Sequence, residues 1–500
     1  MVFIVLLSIV GALLVLQYLL LFYAARYSAS IPTIQPSYPI VGNIPSFWGK
    51  SSKQALWAVV KSFQRVDRMG KLMIGPKPIL LVNHPDLLQQ ILMRGDLHDK
   101  PFFYDFMGLG GGLITERDGK RWLMERKVLN PTFNTRMLTS FLPIMDARAR
   151  KMVANLGPMA DGRTVVDLLK YVGECTLEIV FNTTMGRNAN ELPGQREYVK
   201  HLDIIMTRLG ERMMNVNQFL DIFYRMTSAY KSEHASRIFC NDFTDKIIRE
   251  RRTELHEEQK MPQETDEFER KSLNFLDQIL TIVREDGTSF TDQEISDNLY
   301  TMMSAAHETS ALTVSYTCLL LAMHPKIQAK VIAEMNEVFY DSSVEITLDT
   351  LKQLEYTERV IKEVLRLLPA VPIGARQTNS ELFLDGVQIP KNQILAFNCY
   401  NLHRRTDFWG PDPERFDPDR FLPEASQGRH PYAYIPFSAG LRNCIGMRYA
   451  MNSMRIMLLR ILQEFEIGTD LKQTDLRFKF EITLKLVGPH SVWLKRRDKI

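Results

Sequence analysis

The sequence of 500 residues predicts a mainly α protein of the α+β class, with one large helical domain, a small β-rich subdomain, and a single transmembrane helix in front. Three observations carry this. Val2 to Ala24 is an almost unbroken apolar run, interrupted only by Ser8, Gln17 and small residues. From about Lys53 onward most of the chain has the spacing of long amphipathic helices. Only short pieces read as strands and turns: Lys71–Ile74, Ile79–Val82, Leu382–Pro390, Asn398–Arg405, and the tail Phe478–Trp493, which suits a closing hairpin.

The apolar run comes first. At 1.5 Å per residue it spans roughly 34 Å, enough to cross the hydrocarbon core of a bilayer. No Lys or Arg precedes it, and it is longer than the apolar core of a secretory signal. Residues 2–24 therefore read as a transmembrane signal-anchor, with cleavage near Ala24-Ala25 or Ser28-Ala29 as the alternative. Arg26, Lys50 and Lys53 follow the span, which by the positive-inside tendency places the remainder in the cytoplasm. Pro32, Pro36, Pro39 and Pro45, with Gly42, cannot continue the helix and make residues 25–52 a stiff, proline-rich hinge. Residues 53–500 form the body.

Composition narrows the function classes. With 45% hydrophobic and 24% charged residues and a net charge of +4, the chain is not a disordered polymer, and its charge gives no reason to expect nucleic acid as partner. The five cysteines are scattered and no Cys-x-x-Cys occurs, so neither a disulfide framework nor a zinc site is indicated. Gly108-Leu109-Gly110-Gly111-Gly112 lacks the spacing and setting of a nucleotide loop and reads as a flexible loop bordering a pocket. Arg249–Arg270 is charge-rich and reads as an exposed connection.

The chemistry is concentrated in Pro436–Gly446. Cys444 stands between Gly440 and Gly446, two residues after Arg442 and ahead of a helical run, Met447 to Phe465. A thiolate at the mouth of a helix is favoured by the helix dipole and its free N–H groups. The two glycines allow a flat, bulky group to approach the backbone, and Arg442 offers a cation to an anionic substituent on that group. A haem with cysteine as proximal ligand meets these requirements. A buried structural cysteine in a glycine turn is the alternative.

The stretch resembles the haem-binding signature of the cytochrome P450 family, Phe-x-x-Gly-x-Arg-x-Cys-x-Gly, matched at Phe437, Gly440, Arg442, Cys444 and Gly446. Other stretches add to the resemblance. Trp122 and Arg126 share a helix face at i and i+4, and the resemblance implies that both donate to a haem propionate, with Arg376 serving the second. Lys120, Arg121 and Lys127 make that neighbourhood basic, a docking face for an acidic electron donor or a solvated face.

The apolar helix Asn298–Leu321 carries His307-Glu308-Thr309-Ser310 at its middle. A carboxylate there is costly unless hydrogen-bonded or used, and the Thr309 hydroxyl is placed to bond back and open the helix locally. Ala305–Ser310 resembles the family's oxygen-activation motif, with Ala306 in place of its glycine and Ser310 in place of its second threonine. The resemblance implies Thr309 and Glu308 as catalytic residues, Glu308 feeding protons through water. Glu363 and Arg366, at i and i+3, resemble the family's Glu-x-x-Arg, a structural pair completed by a later arginine. Arg415 and Arg420 compete for that place, and the distance to Cys444 suits Arg420.

By these motifs the chain is identified as a member of the fourth clan of the family, on its insect branch. The resemblance implies a haem-thiolate monooxygenase of the endoplasmic-reticulum membrane, its catalytic domain facing the cytoplasm. It implies haem b ligated by Cys444, O2 as co-substrate, and a small hydrophobic substrate: a fatty acid, a hormone or a foreign compound. Asp203–Phe223 would line the substrate entrance. No nicotinamide- or flavin-binding stretch occurs, so NADPH electrons are expected through a separate NADPH–cytochrome reductase, with cytochrome b5 as a further partner. A haem-thiolate isomerase or dehydratase acting on peroxides, and a haem-binding sensor, are the alternatives; the Glu308-Thr309 pair argues against both. Some fatty-acid hydroxylases of the clan esterify their haem through a glutamate at the position of Ala305, so here the haem is expected to be held non-covalently.

Overall fold

The computed structural model describes residues 2–108, 110–187, 193–215, 218–260, 274–284, 287–340 and 344–497. Its axis is the helix Asp292–Met323, opened by a capping box in which Thr291 and Glu294 satisfy each other's backbone N–H groups. Ser310 to Leu321 is buried without interruption, so this helix is the middle of the core and not a surface element. The hydroxyls on it are bonded back along it. Ser304 donates to Tyr300 O (2.8 Å), Thr309 to Ala305 O (2.7 Å), Thr313 to Thr309 O (2.8 Å) and Thr317 to Thr313 O (2.7 Å). The helix stays α-helical through all four, so the opening expected at Thr309 does not form.

Helices Thr135–Leu156, Leu168–Val180, Glu355–Leu367 and Met447–Glu464 pack with its second half into one apolar cluster. Its first half joins Gln195–Met214, Ser228–Lys260 and the turn Phe102–Met107 in another. The stretch expected as an exposed connection is helical as far as Lys260; residues 261–273 lie outside the described residues. Leu109, in the glycine loop, lies outside them too.

The β-rich part is a four-stranded sheet in the order Met69–Ile74, Lys77–Val82, Ile394–Asn398, Ile373–Gln377. It is antiparallel except where Ile79–Val82 runs parallel to Ile394–Phe397. Leu382–Leu384 and Val387–Ile389 form a hairpin beside it. The expected tail hairpin forms as Phe478–Glu481 against Thr483–Leu486, but Ser491–Arg496 leaves it for a separate sheet between Asp161–Asp167 and Phe465–Gly468. Asn398–Arg405 is corrected: the strand ends at Asn398, whose side chain accepts from Asn401 N–H and starts the helical turn Cys399–Leu402.

Val2–Ala24 is helical over the bounds read from the sequence. Among the described residues no helix is long and apolar enough to cross a membrane; the side chains of residues 2–7, 10 and 24 lie outside them. The proline-rich segment is sewn onto the sheet. Ile34 N–H donates to Lys71 O and Lys71 N–H to Pro32 O, both at 2.9 Å. Buried Asn43 donates to the carbonyls of Ile34 and Pro36 and accepts from Met73 N–H, each at 2.7 Å.

Candidate active site

The cysteine loop is shaped by its backbone. Cys444 N–H donates to Phe437 O at 2.9 Å, Asn443 N–H to Gly440 O at 3.3 Å, and the helix Met447–Glu464 begins behind Gly446. Gly440 has φ +71°, and a Cβ there would lie 1.7 Å from the Leu92 carbonyl oxygen. Its bareness lets the loop pack on the helix Pro85–Met93, which is not the reason the sequence suggested. A Cβ on Gly446 would meet nothing within 4 Å, so the loop borders open space there.

Cys175, Cys240, Cys318 and Cys399 are buried, whereas Cys444 is exposed. Protein nevertheless surrounds its sulfur: burial pushes the thiol pKa up, against the Gly446 N–H and the Arg126 charge. A metal cation there would outweigh the burial and hold the thiolate.

Beside the loop, cations gather, with Glu116 and Asp99 acting on Arg442 only from beyond ion-pair distance. Arg376 and Arg442 are buried; Arg376 Nη2 donates to Arg442 O at 3.4 Å, and Arg442 donates to the carbonyls of His98 and Glu116. Lys100 stands 4.1 Å from the centre of the Tyr104 ring. Burial lowers the pKa of all three, that of Arg442 to about 9, and their mutual repulsion lowers Lys100 and Arg442 further. None of the three forms an ion pair among the described residues. Buried charges left so cost several kcal/mol each, on the order of a buried pair broken open. Arg442 Nε and His98 Nε2 are buried without a partner as well.

Trp122, on the helix Gly119–Leu129, is buried with the Arg442 guanidinium 4.8 Å and the Arg126 guanidinium 6.0 Å from its ring centre. The guanidinium of Arg126 is engaged by protein: Nη1 donates to Asn443 O (2.8 Å) and Nη2 to Asn443 Oδ1 (3.0 Å), tying its helix to the residue before Cys444. His98, Lys100 and Tyr104 are missed by sequence reasoning. Their signal is faint: a single cation, Lys100, directly before the stretch Pro101–Tyr104 with its three aromatic residues.

Ala306 borders both apolar clusters, Phe437 the first and Ile445 the second, so the central helix and the cysteine loop share the same apolar core. Glu308 is held by the tail hairpin: Oε1 lies 2.5 Å from Lys485 Nζ, and Oε2 accepts from Thr483 Oγ1 at 3.0 Å. His307 shares a hydrogen bond with Thr176 Oγ1 at 3.0 Å, and burial lowers its pKa to about 4, so it is neutral.

Glu363 and Arg366 are fully buried and joined by two hydrogen bonds, 2.7 and 2.8 Å. Arg366 also donates to the carbonyls of His403, Pro413 and Arg415. Arg420 Nε comes to 3.7 Å of Glu363, while its terminal nitrogens bond the carbonyls of Trp409 and Asp412. The Arg415 side chain is exposed and pairs with Asp417. The structure therefore brings Arg420, and not the Arg415 guanidinium, to the buried pair.

A family model described as Cytochrome P450 matches residues 32–491. The chain belongs to the cytochrome P450 family. It is 32% identical to Cytochrome P450 4V2 of Pongo abelii over 504 residues, 98% of this chain and 95% of that protein. To Cytochrome P450 4c21 of Blattella germanica it is 31% identical over 469 residues, 93% of each. The crystal structure of the cytochrome P450DA heme domain has the same fold, with a TM-score of 0.76 at 22% identity, over 94% of this chain and 98% of that one. The fourth-clan reading holds, with an insect protein among the relatives. As a P450 the protein is a monooxygenase that uses a cysteine-ligated haem b, O2 and electrons from a partner reductase.

Proposed function

We propose that Cys444 is the cysteine that ligates the haem iron, and that this P450 inserts one oxygen atom of O2 into a small hydrophobic molecule: a fatty acid, a hormone or a foreign compound. One observation carries the assignment. Lys100, Arg376 and Arg442 are crowded together with no ion pair to any of them among the described residues, beside Cys444, the cysteine that is exposed. Haem b brings two propionates and an iron cation, which supply the missing charges of both signs, so the residues present fit the group. Arg376 and Arg442 would hold propionates, with Trp122 and Arg126 flanking them; Phe437, Gly440 and Gly446 shape the loop. Glu363, Arg366 and Arg420 hold the segment His403–Asp417 that precedes it in the chain. Ala305 has no carboxyl to esterify the haem, which is therefore held non-covalently.

When bound, the haem supplies the oxygen chemistry. The chain supplies what surrounds it. Cys444 contributes a thiolate, and the apolar cluster over the first half of the central helix takes up the substrate and excludes water. Thr309 has given its hydrogen to Ala305 O, so its oxygen is left to accept one, and the Glu308 carboxylate stands one residue away, held by Lys485 and Thr483.

NADPH electrons arrive through a separate NADPH–cytochrome reductase, with cytochrome b5 as a second donor. Residues 2–24 anchor the protein in the endoplasmic-reticulum membrane, residues 25–52 form the stem, and residues 53–500 form the catalytic body facing the cytoplasm. The apolar sequence and unbroken helix of Val2–Ala24 support that reading. The test is the reduced carbon-monoxide spectrum together with NADPH-dependent O2 consumption in membranes containing the reductase. Cys444→Ser and Cys444→Ala should lose both the red-shifted, thiolate-type Soret band and turnover. A variant that keeps the band assigns the ligand to another cysteine.

A further inference from the structure

Both carboxylate oxygens of Glu308 are taken by a single strand, Thr483–Leu486, through Lys485 at 2.5 Å and Thr483 at 3.0 Å. Thr483 and Lys485 are two residues apart, so the pleat points them to one face. We infer that Lys485 is a positioning residue for proton delivery, holding the Glu308 carboxylate in place beside Thr309 and tying that hold to the tip of the hairpin. The inference rests on the proposed role of Glu308.

The surrounding charges leave Lys485 little substitute. Its ammonium is also 3.3 Å from Glu481 on the neighbouring strand Phe478–Glu481, which is in turn paired with Lys479 of that same strand. Asp203, on the helix Gln195–Met214, belongs to the same field: burial raises its carboxyl pKa, Lys485 lowers it, and Glu308 and Glu481 raise it. Burial works against the Lys485 charge, yet Glu308, Glu481 and Asp203 together hold its pKa above the usual lysine value. The neighbouring His307 is neutral and bonded to Thr176, so it offers no competing cation. Three carboxylates thus share Lys485 and, more remotely, Lys479. Without Lys485 they repel one another, and Glu308 has only the Thr483 hydroxyl to hold it.

The hairpin itself is fastened firmly. It turns over Ile482, a β-branched residue at φ +66°, a strained conformation that persists because Ile482 is buried in the apolar cluster with Met302, Met303 and Leu209. On the helix above, Gly210 leaves no room for a Cβ, which would lie 2.4 Å from Glu481 Cα. A substrate that presses on Ile482 therefore presses on the strand that holds Glu308.

The experiment uses the full haem-loaded chain with its reductase, measuring product formed per NADPH and the solvent isotope effect on product formation. The variants are Glu308→Gln, Lys485→Met, Lys485→Arg, Thr483→Val and the double Glu308→Gln/Lys485→Met; haem content and thermal midpoint are followed alongside. Lys485→Met should lower product per NADPH on the order of tenfold, less than the roughly 100-fold or more that a general acid–base group itself contributes because Lys485 acts through Glu308, and enlarge the isotope effect. Lys485→Arg should restore most of the loss, and the double variant should be no worse than Glu308→Gln alone, because both changes act on one step. Thr483→Val keeps every charge and should give the same change in smaller size, which covers a Lys485→Met protein that does not fold. If Glu308→Gln lowers product per NADPH while neither Lys485→Met nor Thr483→Val does, the inference is overturned and the role of Glu308 stands. Losses that add in the double variant overturn it too, since Lys485 then acts elsewhere. If Glu308→Gln itself changes nothing, the reading of Glu308 falls and the inference with it.

Discussion

Thr309 makes its hydrogen bond within its own helix, to Ala305 O at 2.7 Å, so deleting the hydroxyl breaks no contact between elements. Thr309→Ala is therefore expected to fold and to hold haem normally, while product per NADPH falls on the order of tenfold or more and the electrons leave as peroxide or water. Thr309→Ser should keep most of the yield. Equal yield in Thr309→Ala and wild type would remove Thr309 from the mechanism. Ala305, one turn earlier, makes a separate prediction: acid–acetone extraction after turnover should strip the haem completely, whereas Ala305→Glu should retain some on the polypeptide. At this scale the sequence is legible where spacing along one element fixes a neighbourhood, as for Arg442 and Cys444 in their loop. It is silent where a partner comes from far along the chain. Nothing around Lys485 marks it as the residue that reaches Glu308, and nothing around His98 and Lys100 marks them as neighbours of Arg442.

The helix Glu355–Leu367 depends on how its buried ion pair is completed. Glu363 is raised in pKa by burial, against Arg366 first and then the Asp417 N–H and Arg420. The two direct bonds come from Arg366, so Arg366→Ala is the change that strands a buried carboxylate, and about 3–5 kcal/mol of stability should be lost. Arg420→Ala leaves that pair intact but frees the carbonyls of Trp409 and Asp412; a loss of about 1.5–3 kcal/mol is expected, and Arg415→Ala should cost less than either. Urea unfolding of the three variants checks the order, and a more damaging Arg415→Ala would reverse the assignment. The motif letters point to Arg420, whose Nε lies 3.7 Å from Glu363, yet its hydrogen bonds go to the loop in front of it, which no spacing discloses. Helices were legible where apolar periodicity is long, as in Met447–Glu464 and the central helix. Asn398–Arg405 was not, because an asparagine that caps a turn resembles a strand residue until its hydrogen bond is seen.

Taken as a whole, the molecule holds His403 and His490 neutral in its core, as it does His307 on the central helix. Burial lowers His403 to about 3, with Nε2 accepting from Ile435 N–H, and His490 to about 4, with Nδ1 2.7 Å from Ser315 Oγ. The unfolded chain binds protons at both from about pH 6.5 downward and the folded chain does not. Their contribution to stability is thus complete above about pH 6.5 and is lost as pH falls toward the folded values, at up to about 1.4 kcal/mol per pH unit for each. His490→Gln should be less stable than wild type at about pH 7.5, and the gap in thermal midpoint should narrow toward about pH 5. A gap that widens on acidification would mean that His490 is charged in the fold. The parallel pairing in the small sheet has a consequence of another kind, for the order of events at the ribosome. Gln393 donates to Pro78 O across 315 positions of sequence, next to the strand that completes Lys77–Val82. At about 5–20 residues per second that strand emerges roughly 15–60 s after its partner. Through that interval the newborn hairpin Met69–Val82 carries an unpaired apolar edge, the kind chaperones cover. The first sheet begun is among the last finished, and Arg442 and Cys444 emerge later still, so the pocket can take up its haem only from a chain that is nearly complete.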